Sequence, residues 1–76
     1  MLKWTRGILG EYRAEYHAKE RRRIVTIERD QWTGDWWLSI TDINPGGGAL
    51  AGRFEHSLRD AKEAAWQYAR HERGEL

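Results

Sequence analysis

A chain of 76 residues has room for one domain with a thin core, because a fold of this size removes only about 60% of its surface from water. It has no cysteine, which excludes disulfide staples and cysteine-based metal sites and fits a reducing compartment. Its 13 basic and 12 acidic side chains leave a net charge of +1, too even a balance for a domain built mainly to grip a phosphate backbone.

The charge is also evenly spread: residues 1–38 carry 8 positive and 6 negative side chains, and residues 39–76 carry 5 and 6. Neither half is a basic tail. Stabilisation has to come from large rings: five Trp, three Tyr and one Phe make the chain 12% aromatic, and each ring buries about 150–250 Å². Met1 to Gly7 hold no apolar stretch resembling a signal peptide, and no apolar run is long enough to cross a membrane. The chain reads as a cytoplasmic domain over 1–76, with no membrane role.

In chain order, Leu2–Thr5 is a candidate edge strand. Tyr12, Ala14 and Tyr16 then alternate with Arg13, Glu15 and His17, the period of a half-buried strand. Arg21-Arg22-Arg23, with Lys19 and Glu20 before it, reads as a solvated hairpin turn leading into the β-branched strand Ile24-Val25-Thr26-Ile27. Val25 and Ile27 are its expected inner residues. Thr33-Gly34-Asp35 supplies turn chemistry, and Trp36, Leu38 and Ile40 alternate with Trp37, Ser39 and Thr41 in the next strand. Asn44-Pro45-Gly46-Gly47-Gly48 is a loop. Leu50–Glu55 is a short strand that points Leu50 and Phe54 the same way, and Gly52 between them marks a bulge or a close approach by another group.

From Ser57 the period changes to 3.6. Ser57-Leu58-Arg59-Asp60 resembles a capping box with Asp in the Glu position. Leu58, Ala61, Ala65, Tyr68 and Ala69 form one stripe; Arg59, Asp60, Glu63, Gln67 and Arg70 lie opposite. Gly74 is a stop signal. The expected fold is α+β: a three- to four-stranded antiparallel sheet with one C-terminal helix, residues 57–73, on one face. Alanines on the helix admit bulky rings from the sheet.

Little here points to catalysis. His17, His56 and His71 share no metal-ligand spacing. The Pro-Gly-Gly-Gly loop runs into a strand, whereas phosphate loops feed a helix N-terminus. No nucleophile motif is present, and a thin core offers little burial for raising a carboxylate pKa. No enzyme activity, cofactor or metal is expected.

The tryptophans are more informative. Trp36 and Trp37 are adjacent, so in a strand they face opposite ways and one of them leaves the core. Trp66 falls at the margin of the helical stripe, Trp4 at an edge and Trp32 in a loop. An exposed Trp37, flanked by Arg13, His17 and Thr26, would make a contact surface, since Trp and Arg are enriched among interface hot spots. The competing arrangement places Arg13, Arg21, Arg22 and Arg23 on phosphates beside an aromatic sheet face.

Gly10-Glu11-Tyr12-Arg13-Ala14-Glu15, the Trp36-Trp37 pair and the run Gly52-Arg53-Phe54-Glu55-His56-Ser57-Leu58-Arg59-Asp60-Ala61-Lys62 together resemble small uncharacterised proteins of actinobacteria and their phages. The likeness covers most of the chain, through structural motifs of turn, strand, cap and helix. More remotely, the β-β-β-α order is similar to AP2-type domains and to the arm-binding domains of tyrosine integrases, a resemblance that implies a sheet laid against DNA. The expectation is therefore a non-enzymatic accessory protein, phage-encoded in origin, that binds a protein partner or itself (as a homodimer) through the helix-free sheet face. The alternative is a small DNA-binding protein.

Overall fold

The computed structural model describes residues 1–75; Leu76, the end of the expected domain, lies outside the described residues. Five antiparallel strands and one helix follow in order: β1 (Thr5–Arg6), β2 (Tyr12–Ala18), β3 (Arg21–Arg29), β4 (Trp36–Asp42), β5 (Ala49–Glu55) and α1 (Leu58–Glu72). The sheet is a meander, each strand pairing with the next in sequence. The class is α+β as expected, but there are five strands, not three or four. The extra strand is a two-residue edge, Thr5 opposite Arg13 and Arg6 opposite Tyr12, displaced toward the C-terminus from the Leu2–Thr5 expected.

Alternation along each strand decides which side chains meet the helix. Ala14, Tyr16 and Ala18 of β2, Val25 and Ile27 of β3, and Leu38 and Ile40 of β4 are buried beneath Ala61, Ala65 and Ala69 of α1. The helix stripe is alanine, so no large side chain keeps the helix off the sheet. Trp4, Tyr12, Trp36, Leu58 and Tyr68 then close the margins of the core. Tyr12 meets Trp36 edge-on at 6.2 Å, and the Lys62 ammonium lies 4.6 Å from the Tyr12 ring centre. Trp66 remains marginal, with the Arg70 guanidinium 5.8 Å from its ring centre.

The helix begins where the capping residue predicts. Ser57 is extended and its hydroxyl accepts the Asp60 N–H at 3.0 Å, satisfying one of the otherwise orphaned donors of the first turn. At the other end Gly74 has φ +74°, and the Glu75 N–H returns to the Arg70 carbonyl at 2.8 Å.

Arg21-Arg22-Arg23 is not a turn. All three belong to β3, and the β2–β3 connection is only Lys19-Glu20, both at positive φ (56° and 62°). A two-residue loop with both residues left-handed is a type I′ turn, whose twist matches the flanking strands. Arg23 consequently occupies an inner-facing position, in step with Val25 and Ile27, and is buried.

Candidate functional site

The face of the sheet opposite α1 is divided by chemistry. Its β2 side is charged: Arg13, Glu15 and His17 project there, and Arg22 of β3 joins them. The Arg22 guanidinium bonds both Glu15 oxygens, at 2.8 and 3.0 Å, and holds that carboxyl below its usual range. His17 adds a 3.4 Å contact to Glu15. Arg22 and Glu15 thus satisfy one another, whereas Arg13 makes no ion pair among the described residues.

The β4–β5 side carries no charged residue. Trp37, Ser39 and Thr41 of β4 stand opposite Phe54, Gly52 and Ala49 of β5, with the exposed Leu50 the extra residue at a register shift. Trp37 pairs with Phe54 across the strands, ring centres 4.8 Å apart at 53°, a tilted aromatic contact of the favourable kind. The Trp37 ring also leans over Gly52, where an added Cβ would sit 2.7 Å from its Cζ2 and Cη2 atoms. The close approach that Gly52 signalled is therefore made by Trp37. A register shift near Ile40 and Thr41 accompanies it on β4–β5.

At one end of this apolar half the β3–β4 loop presents Trp32, 86% exposed. The loop is ordered by its own bonds. The Asp30 carboxylate accepts the Thr33 hydroxyl at 2.8 Å and the Trp32 N–H at 3.4 Å. The Asp30 carbonyl accepts the Gly34 N–H at 2.8 Å, and the Asp30 N–H donates to Asp35 at 2.7 Å. Gly34, at φ +79°, makes the reversal. Trp32, Trp37 and Phe54, with Glu28, Arg29 and Asp30, line an open groove of about 530 Å³.

Of the residues expected around Trp37, only Thr26 is on a neighbouring strand beside it, and Arg13 lies one strand further away. Thr26 lies opposite Ser39 on β4 and opposite Arg13 on β2, one diagonal step from Trp37. His17 is not a neighbour. It pairs with Arg22, whereas Trp37 pairs with Glu28, and six residues along a strand is about 20 Å. Trp37 itself is 38% exposed, on the face opposite the helix as expected. Sequence reasoning missed Phe54, Leu50 and Trp32. The shared direction of Leu50 and Phe54 was readable; the pairing of Phe54 with Trp37, which sets that direction, was not.

The arginine run has other work. Arg23 Nη1 donates to Asp42 Oδ2 at 2.8 Å and Nη2 to Glu72 Oε2 at 2.8 Å. Arg21 also pairs with Asp42, and Asn44 donates to that carboxylate through its backbone and its amide. The Tyr16 hydroxyl donates to Glu72 Oε1 at 2.6 Å. The Arg21 bond holds Asp42 well below the usual carboxylate range, the Arg23 bond lowers Glu72, and burial with the Glu72 contact pushes the Tyr16 phenol up. Both carboxylates are kept ionised and engaged. The cluster ties the end of α1 to β2, β3 and β4, and Arg23 has no surface to offer a phosphate. Among the four arginines of the phosphate arrangement, only Arg13 has no carboxylate partner among the described residues.

Comparison with family models, curated proteins and solved structures finds no match to this chain.

Proposed function

We propose that this protein is a non-enzymatic docking module whose contact surface is the helix-free face of the sheet, centred on Trp37 and Phe54. The observation that carries this reading is the uncharged aromatic half-face of β4 and β5, with Trp32 held beside it by a hydrogen-bonded loop. Leu50, Phe54 and Trp32 are 41%, 56% and 86% exposed. Large apolar side chains grouped on one surface, flanked by charged residues, mark interaction sites, and Trp is the residue most enriched at hot spots. The partner is a protein surface or a second copy of the chain, in the cytoplasm. An accessory role, of the kind the likeness to actinobacterial and phage proteins implies, fits such a module.

The DNA-binding alternative gains no support from the arginines. Arg21, Arg22 and Arg23 are engaged by Asp42, Glu15 and Glu72, so they are not poised for phosphate. That alternative requires affinity for duplex DNA that falls steeply with salt; a mobility-shift titration at low salt tests it directly.

The docking reading is tested by affinity capture with the wild-type protein, Trp37→Ala and Arg70→Ala. A partner, or self-association, that persists with Arg70→Ala and is lost with Trp37→Ala is the expected result. If every interaction is insensitive to Trp37→Ala while the variant remains folded, the surface has been misassigned.

A further inference from the structure

The two edges of the sheet are unequal. One is the two-residue β1; the other is β5, seven residues long, without proline or lysine. A long edge strand presents a row of unpaired N–H and C=O groups to another strand, and the two charges on β5, Arg53 and Glu55, are bonded to each other. Two apolar residues of β5 are equally spaced in sequence about its middle residue, Gly52: Leu50 two positions before it, at the register shift, and Phe54 two after, both exposed.

We propose that β5 pairs antiparallel with β5 of a second copy across a two-fold axis at Gly52, giving a continuous ten-stranded sheet. This rests on the reading of the β4–β5 half-face as a contact surface, and names its occupant. In this register Leu50 stands opposite Phe54 of the second copy, and Phe54 opposite its Leu50, so each exposed apolar side chain gains an apolar cross-strand partner. Gly52 meets Gly52 at the axis, where the absence of side chains leaves room for the two Trp37 rings, each already over its own glycine. Ala51 stands opposite Arg53 and Ala49 opposite Glu55, so no charge faces its like. Moving the axis to Arg53 would set that guanidinium against itself. Moving it to Ala51 would leave Phe54 opposite Gly48, beyond the end of the strand. The palindromic spacing therefore selects one register and a self-complementary contact, which is what a two-fold dimer requires; a foreign strand would have no need of it.

Sedimentation velocity from micromolar to millimolar protein, with circular dichroism as the folding control, tests the pairing through a charge exchange. Wild type is expected to dimerise, and Leu50→Glu and Phe54→Lys each to be monomeric, because each sets a charge against an apolar partner. The double variant Leu50→Glu/Phe54→Lys is expected to dimerise again, because positions 50 and 54 of opposite copies then carry opposite charges. A wild type that stays monomeric at millimolar concentration overturns the proposal, and so does a double variant that stays monomeric. A dimer indifferent to both single substitutions but lost with Trp37→Ala would mean that the faces stack rather than the edges pair. That result removes the edge register and leaves the docking face standing.

Discussion

The ring of Trp37 fills the space in which a side chain at position 52 would stand, 2.7 Å from where a Cβ on Gly52 would lie. Gly52 thus lets the largest side chain of the open face lie over β5 and against Phe54. Its φ is not in the left-handed region, so alanine is acceptable to the backbone and even reduces the entropy lost on folding. The methyl group must nevertheless displace the indole. Gly52→Ala is expected to change stability by no more than about 1 kcal/mol, as those effects oppose, while abolishing the Trp37–Phe54 contact. Near-ultraviolet circular dichroism reads the loss of the aromatic pair, and a urea titration reads the stability.

Two adjacent arginines should behave very differently. Arg23 is buried and holds Asp42 and Glu72 at 2.8 Å each; Arg22 is exposed and holds Glu15. Removing one member of a buried ionic cluster strands its partners, whereas exposed pairs contribute little. Arg23→Met is expected to cost about 3 kcal/mol or more, and Arg22→Met to leave the urea midpoint almost unmoved. Equal midpoints for the two variants would show that the cluster does not clamp the helix to the sheet.

Those two arginines also mark where the sequence is opaque. Alternation exposed the inner faces of β2, β3 and β4 because Tyr16, Val25, Ile27, Leu38 and Ile40 are apolar at every second position. The change of period at Ser57 and the glycine at 74 bounded α1. Arg23 sits in the same alternation but carries a charge, so the strand seemed to start three residues late. Only the arrival of Asp42 and Glu72, 19 and 49 residues away along the chain, makes its burial tolerable. The candidate site was half visible for a related reason. Periodicity says which way Trp37 points, but the strand register decides that Phe54 is its neighbour and His17 is not. A two-residue strand such as β1 has no period to detect.

The β2–β3 turn offers a gain in stability. Lys19 and Glu20 both hold left-handed φ, which costs a residue with a side chain about 1–2 kcal/mol, and type I′ turns prefer Asn-Gly. Neither side chain makes a hydrogen bond within the described residues, and both are exposed. Lys19→Asn/Glu20→Gly is expected to stabilise the fold by about 1 kcal/mol, the glycine's greater freedom when unfolded offsetting part of the relief. A thermal melt that fails to rise would show that the turn is not strained.

The cluster around Arg23 is expected to contribute to stability at both ends of the pH range. Asp42 and Glu72 are lowered in the folded state by their arginine partners. Their contribution is therefore whole above the unfolded carboxylate range of about 4 and is lost as pH falls through their folded values. Tyr16 is raised by burial and by Glu72, so its contribution is whole below the unfolded phenol value of about 10 and is lost as pH rises beyond it. Melting temperature should be level between these limits, falling at the acid end less steeply in Asp42→Asn than in wild type, and at the alkaline end less steeply in Tyr16→Phe. A spectrophotometric titration of the three tyrosines provides the independent check. One phenol, absent from the Tyr16→Phe variant, should resist ionisation until the protein unfolds. Should the Tyr16 phenol itself ionise near pH 10, the Tyr16–Glu72 bond does not hold in solution.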